Sequence, residues 1–323
     1  VRRAEWNEIS TSALGFGCGS VMGRVGRRDS LRAMNAAWDG GITLFDNARS
    51  YGYGEAEGLL GEFLAGKRSQ ATIVTKFGIL PARPAAWKRL AKPIVRGVLS
   101  VLPQARQVVR QGLAAQSTPG HFDVATLRSS LGESLRQLKT DYVDVLLLHE
   151  PPLEVLQQQE LLRELESLVQ AGKVRRVGVS TTPLLAQHAA DRSAAILSVL
   201  QYSGYGPFSL RPDDAPSHRY FRMANHPFGG PANAKRLAST IAAMRQDSQV
   251  PATLRDKLHG GLQEVTARVV FSDLLRSGAH VIIPSMLHLD HLRANVAAMD
   301  AEPFTSPECQ AILSRFHGLT LQG

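Results

Sequence analysis

The chain of 323 residues holds only two cysteines, Cys18 and Cys309. Two thiols cannot make a disulfide framework, which excludes the small bridge-stapled secreted class. No run of 18 apolar residues occurs, so no integral membrane helix is expected. The opening stretch Val1-Arg2-Arg3-Ala4-Glu5-Trp6 lacks the apolar core of a secretory signal. The expected localisation is therefore cytoplasmic. Fixed-period repeats and low-complexity tracts are also missing. One long stretch lacks acid: from Phe63 to Phe122 there is no Asp or Glu, but there are ten Lys and Arg residues. That stretch carries the whole net charge of +9, and the rest of the chain is balanced to within one charge. The basic excess is local, so no nucleic-acid partner is expected.

What is present is an alternation of strand and helix signals. Apolar runs predict strands at 13–17, 42–46, 71–76, 142–148, 174–179, 196–202, 219–224 and 280–284. Apolar residues at three- and four-residue steps predict helices over 31–37, 56–64, 124–138, 160–169 and 262–275. Asp123 stands as an N-cap and Gly172 as a helix stop. Eight strands with interleaved helices predict a (β/α)8 TIM barrel, as one domain over 1–323. The competing arrangement, a doubly wound sheet, would gather its chemical residues at one crevice. Here they are spread over many strand ends. Two segments break the rhythm: the basic, Pro-containing 79–120 after the third strand, and the Pro-, Gly- and Asp-rich 202–219 after the sixth. Both are expected on the catalytic face, where long loops form pockets.

Four residues at strand ends could converge there. Asp46 closes an apolar run, Tyr51 follows five residues later, Lys76 closes the next run, and His149 closes the one after. This constellation, with its spacing, resembles the catalytic tetrad of the aldo-keto reductase family, and the likeness extends from Leu14-Gly15-Phe16-Gly17 to Asn295. The resemblance implies an NAD(P)(H)-dependent oxidoreductase that interconverts an aldehyde or ketone, including a sugar, with its alcohol. Tyr51 would be the general acid/base, Lys76 would favour its phenolate, Asp46 would hold Lys76, and His149 would orient the substrate oxygen. A Lys ammonium about 4 Å away attracts a phenolate by roughly 4 kcal/mol at a dielectric near 20, or about 3 pKa units before desolvation. Tyr53 is a rival acid two residues away, disfavoured by the five-residue spacing from Asp46.

The resemblance also implies a cofactor site. Gly178-Val179-Ser180-Thr181 resembles the family's Gly-x-Ser-Asn segment, with Thr181 in place of Asn, and Ser180 would hold the nicotinamide amide. Gln201 matches the family Gln that holds the same amide, since an amide pairs donor with acceptor. Asp46 also borders this site, and Gly17 lets the cofactor approach the backbone. Asn225 stands where the family has a stacking aromatic ring, and Phe228 is expected to border the pyrophosphate. Ile283-Pro284-Ser285-Met286 with Asn295 resembles the adenosine-phosphate segment. Asn295 would contact the adenine. Ser285 replaces a common Lys and His291 a common Arg, so NADP(H) is the first expectation and NAD(H) the close alternative.

Other signals carry less. The spaced glycines at 15–19 and 52–54 lack the full dinucleotide fingerprint and are expected to be loop glycines. His288 and His291 have no third ligand partner in sequence, and no metal is expected. Cys18 is expected to be a small buried residue. Met22, Tyr53, Phe77, Tyr205 and Phe208 are candidates for the substrate pocket. The basic segment 79–120 reads as a solvated loop, a substrate lid or an interfacial contact. The rival function is a cofactor-binding regulatory or redox-sensing subunit on the same fold.

Overall fold

A computed structural model describes residues 1–7, 9–81, 120–182, 184–186, 196–205 and 219–318. The chain opens with an antiparallel hairpin, β1 (Arg3–Trp6) and β2 (Ile9–Ser12). Eight parallel strands follow: β3 (Gly15–Gly17), β4 (Leu44–Asp46), β5 (Thr72–Phe77), β6 (Val143–His149), β7 (Val174–Thr181), β8 (Leu197–Ser203), β9 (Phe221–Asn225) and β10 (Val281–Ile283). Each pairs with the next in chain order. The two edges meet through a parallel bridge between Leu14 and Ile282, where the Ile282 amide donates to the Ala13 carbonyl at 2.9 Å. This closes the sheet into the expected barrel and rules out the doubly wound arrangement. Each predicted strand overlaps one of these.

The described helices are α1 (Arg27–Asp39), α2 (Ala56–Phe63), α3 (Val124–Leu138), α4 (Gln159–Gln170), α5 (Pro231–Gln246), α6 (Ala252–Leu258), α7 (Leu262–Arg276), α8 (Leu289–Asp300) and α9 (Ser306–Gly318). The five predicted helices correspond to α1–α4 and α7. At α3 the Asp123 side chain accepts from the Thr126 amide at 2.8 Å, which satisfies one of the orphan donors of the first turn. Helices α5, α6, α7 and α9 share a second apolar cluster outside the barrel, which includes Leu237, Ile241, Leu258, Val269, Ile312 and Phe316.

The hairpin, not foreseen from sequence, lies at the N-terminal end of the barrel. Ser12 Oγ accepts from the Thr43 and Leu44 amides, and the Trp6 ring lies 5.8 Å from that of Phe221, the first residue of β9. The opposite, C-terminal end is left for chemistry. Both interrupting segments start from that end, but 82–119 and 206–218 lie outside the described residues, and so does Phe208. The ends of the basic segment are joined there, where the His121 amide donates to the Gly78 carbonyl at 3.1 Å.

Candidate active site

The mouth of the barrel is built by short excursions from strand ends. After Asp46 the chain turns through Ala48, whose carbonyl accepts from the Tyr51 amide, into a tight 3-10 turn at Tyr51–Gly54. Gly52 has φ +58, and a Cβ there would come within 2.5 Å of the Val21 carbonyl oxygen. Only glycine allows this close turn, which aims Tyr51 back over the mouth. Lys76 is the penultimate residue of β5, and His149 is the last of β6.

These side chains meet. Lys76 Nζ donates to Asp46 Oδ1 at 2.6 Å and to the Asn47 carbonyl at 2.8 Å, and lies 3.4 Å from the Tyr51 hydroxyl. The Tyr51 and His149 rings meet edge to face, with centroids 6.1 Å apart. Tyr53 sits at φ +61 inside the turn. Asp46 and Lys76 are both buried, so the pair is shielded from water and from salt.

The Lys76 ammonium does not leave Tyr51 with a lowered pKa, contrary to the expectation from charge alone. Burial of the phenol is the largest influence and raises it; Lys76 opposes, and the Asp46 carboxylate adds to the rise. The net direction is upward, because desolvation of a phenolate exceeds the pull of an ammonium already compensated by Asp46. Burial works against the charge on Lys76, but Asp46 and Tyr51 outweigh it and its pKa is raised. Burial, helped by Lys76, pushes the His149 imidazole down to about 3. At neutral pH the site therefore holds a phenol, an ammonium and a neutral imidazole. Among the described residues, buried His149 Nδ1 has no hydrogen-bond partner. An unmet lone pair costs less than an unmet N–H, which favours the tautomer with the proton on Nε2.

Gln201 joins the same cluster. Its Nε2 donates to Asp46 Oδ1 at 2.9 Å, and its Oε1 accepts from Ser180 Oγ at 2.6 Å. Since β4 and β8 are four strands apart in the closed sheet, the Asp46–Gln201 bond crosses the barrel. Ser180 can lie beside Gln201 because β7 and β8 pair in register there, and the approach is close: a Cβ on Gly178 would fall 1.9 Å from the Val199 carbonyl oxygen.

The remaining residues predicted for the cofactor are placed apart from this network. Gly17 ends β3 on the same rim. Thr181 follows Ser180 on β7, and strand alternation assigns it to the opposite face. Phe228, half-buried, packs its ring 6.1 Å from that of Phe271. Ser285 is exposed just after β10. His291 is exposed in the first turn of α8, its ring 5.5 Å from that of His288, and Asn295 is buried one turn further on. One pocket candidate is corrected: Phe77 is buried and packs edge to face against Phe122. Tyr205 is half-buried and lies against Gly229, whose Cβ would strike its ring at 2.2 Å. Cys18 is fully buried, and burial raises its thiol pKa, as expected of an inert residue.

The sequence reading missed a buried carboxylate beside the site. Glu57 Oε1 accepts from Thr75 Oγ1 at 2.6 Å, and Glu57 Oε2 pairs with Arg49 Nη1 at 2.8 Å. It ties the segment between Asp46 and Tyr51 to the residue before Lys76. The only sequence signal was an acid on the apolar side of α2.

A barrel closed by eight parallel strands, with a buried Asp–Lys pair beside a tyrosine and a histidine at its C-terminal mouth, defines a recognisable class of proteins. The family model for the aldo/keto reductase family matches residues 13–314, and the chain belongs to that family. Among curated relatives, the aldo-keto reductase YhdN of Bacillus subtilis is 29% identical over 180 residues. That alignment covers 53% of this chain and 44% of the relative, so the chain spans about half the length of this curated relative. Among solved structures, an aldo-keto reductase of Bacillus halodurans in its holo form aligns with a TM-score of 0.67 at 20% identity, over 97% of this chain and 96% of that one. An aldo/keto reductase of Klebsiella pneumoniae, solved in complex with NADP and acetate, aligns with a TM-score of 0.63 at 23% identity, over 99% of this chain and 95% of that one. At such identities the structural likeness is one of fold.

Proposed function

We propose that the protein is an NAD(P)(H)-dependent oxidoreductase that interconverts a small aldehyde or ketone and its alcohol, with Tyr51 as general acid and base. The observation that carries this reading is Lys76 Nζ, held at 2.6 Å by Asp46 Oδ1 and 3.4 Å from the Tyr51 hydroxyl. When bound, a reduced nicotinamide supplies the hydride for the carbonyl carbon. The residues of the chain do the rest. Tyr51 gives its proton to the carbonyl oxygen as negative charge develops there. Lys76, kept protonated by Asp46, stabilises the phenolate left behind, which solvent then reprotonates. Neutral His149 donates from Nε2 to the same oxygen and sets its direction. A phenol that stays protonated at neutral pH suits an acid in the reductive direction.

The donor set at the mouth fits the amide of a nicotinamide. Ser180 and Gln201 are buried polar groups at adjoining strand ends, and Gln201 offers both a donor and an acceptor. Phe228 would border the pyrophosphate, and Ser285, His291 and Asn295 the adenosine end. NADP(H) is the favoured cofactor, in keeping with the Klebsiella pneumoniae relative solved with NADP. NAD(H) is the alternative, because neither Ser285 nor His291 carries a permanent charge for a 2′-phosphate.

The test is fluorescence titration with NADPH and NADH separately, for the wild type and Tyr51→Phe, followed by a carbonyl screen. Both proteins are expected to bind NADPH, and Tyr51→Phe is expected to lose about 10²–10⁴ in kcat. Binding without any carbonyl turnover would favour the regulatory-subunit reading. No binding to either cofactor would refute both.

A further inference from the structure

Gln201 makes contacts that amide recognition alone does not require. Its N–H group shares Asp46 Oδ1 with the Lys76 ammonium, at 2.9 Å and 2.6 Å. The orientation of its amide is fixed by its neighbours. An ionised carboxylate can only accept, so the nitrogen must face Asp46, and the oxygen then takes the Ser180 hydroxyl. Ser180, Gln201, Asp46, Lys76 and Tyr51 thus form one unbroken chain of contacts, carried by β7, β8, β4, β5 and the turn after β4. Beyond these bonds Gln201 Nε2 keeps a second hydrogen and Oε1 a second lone pair.

We propose that Gln201 is a positioning residue for proton transfer: it fixes the Asp46 carboxylate across the barrel and, through it, the Lys76 ammonium beneath the Tyr51 hydroxyl. The proposal rests on the reductase reading. Without the Gln201 N–H, Lys76 would be the one side chain among the described residues that holds Asp46 Oδ1. The carboxylate would be free to turn, drawing the ammonium away from a hydroxyl that it reaches only at 3.4 Å. A buried network with one member removed loses geometry as well as a bond. The titratable groups that face this cluster are Asp46, Lys76, Tyr51, His149 and Cys18.

The experiment compares the wild type with Gln201→Leu and Gln201→Glu at saturating NADPH, reducing para-nitrobenzaldehyde across pH. NADPH affinity is measured separately by fluorescence, and folding by thermal melting. A residue that only grips the cofactor would lose affinity, and saturation would restore kcat and its pH profile. A positioning residue leaves a defect that saturation does not repair. Gln201→Leu is expected to lose about 10- to 100-fold in kcat, with little change in aldehyde KM. Gln201→Glu keeps the size and the polar oxygen but sets a second carboxylate against Asp46. Its kcat is expected to recover as the pH is lowered, once the carboxylate pair takes up a proton and an O–H again donates to Asp46. Turnover that depends on Tyr51, together with wild-type kcat and pH profile in both variants, overturns the positioning role alone. The absence of any Tyr51-dependent turnover in the wild type overturns the reductase reading and this role with it. Should Gln201→Leu not fold, the acid recovery of Gln201→Glu decides the matter.

Discussion

At the scale of single residues, burial decides charge in this barrel. The imidazole of His149 is pushed down to about 3 and that of His280 to about 4, in both cases by burial first and then by a neighbouring cation. His280 Nδ1 accepts from the Arg222 amide at 3.1 Å, a bond that protonation would break. An unfolded histidine takes up its proton near pH 6.5. Between that pH and the folded values the unfolded chain holds protons that the folded chain does not, so acid favours unfolding. Stability is complete above about pH 6.5 and falls as the pH is lowered towards 4, by up to about 1.4 kcal/mol per pH unit for each such group. His149→Gln is expected to flatten this slope by about one proton. Urea unfolding midpoints at several pH values check it, and an unchanged slope would contradict a neutral buried His149. The convergence of Asp46, Tyr51, Lys76 and His149 was legible in the sequence, because the spacing from Asp46 to Tyr51 and the strand-end positions of Lys76 and His149 are local features. The pKa direction of Tyr51 was not, since it depends on how much water the folded barrel excludes. The bond from Gln201 to Asp46 was also hidden. It joins residues 155 positions apart that meet only when the barrel is closed.

At the scale of elements, α2 acts as a brace. The Glu57 carboxylate, buried on α2, holds Thr75 on β5 and Arg49 in the loop that leads to Tyr51. Glu57→Gln keeps a hydrogen-bonding side chain but leaves the largely buried Arg49 without its counter-charge. Breaking a buried pair from one side costs about 3–5 kcal/mol, and chemical denaturation is expected to show a loss of that order. Activity should fall as well, through the displaced loop; a variant as stable as the wild type would remove the bracing role. The strands around this brace were readable as apolar runs bounded by turn residues. The hairpin was not, because its two strands have four residues each and carry Arg3, Glu5 and Ser10 on their outer face. Helix α5 was equally obscure. Its buried face is Leu237, Thr240, Ile241 and Met244, and the half-buried alanines beside them blur the 3.6-residue contrast between faces.

At the scale of the whole molecule, the barrel is not equally strong all round. Strands β5 to β8 pair along four to six residues, but among the described residues the two edges of the sheet meet at one bridge, between Leu14 just before β3 and Ile282 of β10. That seam is where the cylinder should breathe first. Amide hydrogen exchange is expected to be fastest, among barrel strands, at Ile282, and slowest in β6 and β7. Gly17 ends one lip of the seam and Ser285 follows the other. A dinucleotide that touched both would act as a clasp, and bound NADPH should slow exchange at Ile282 more than in β6. The weakest joint of the barrel would then be a latch that its own cofactor closes, so the empty protein would be the more perishable form.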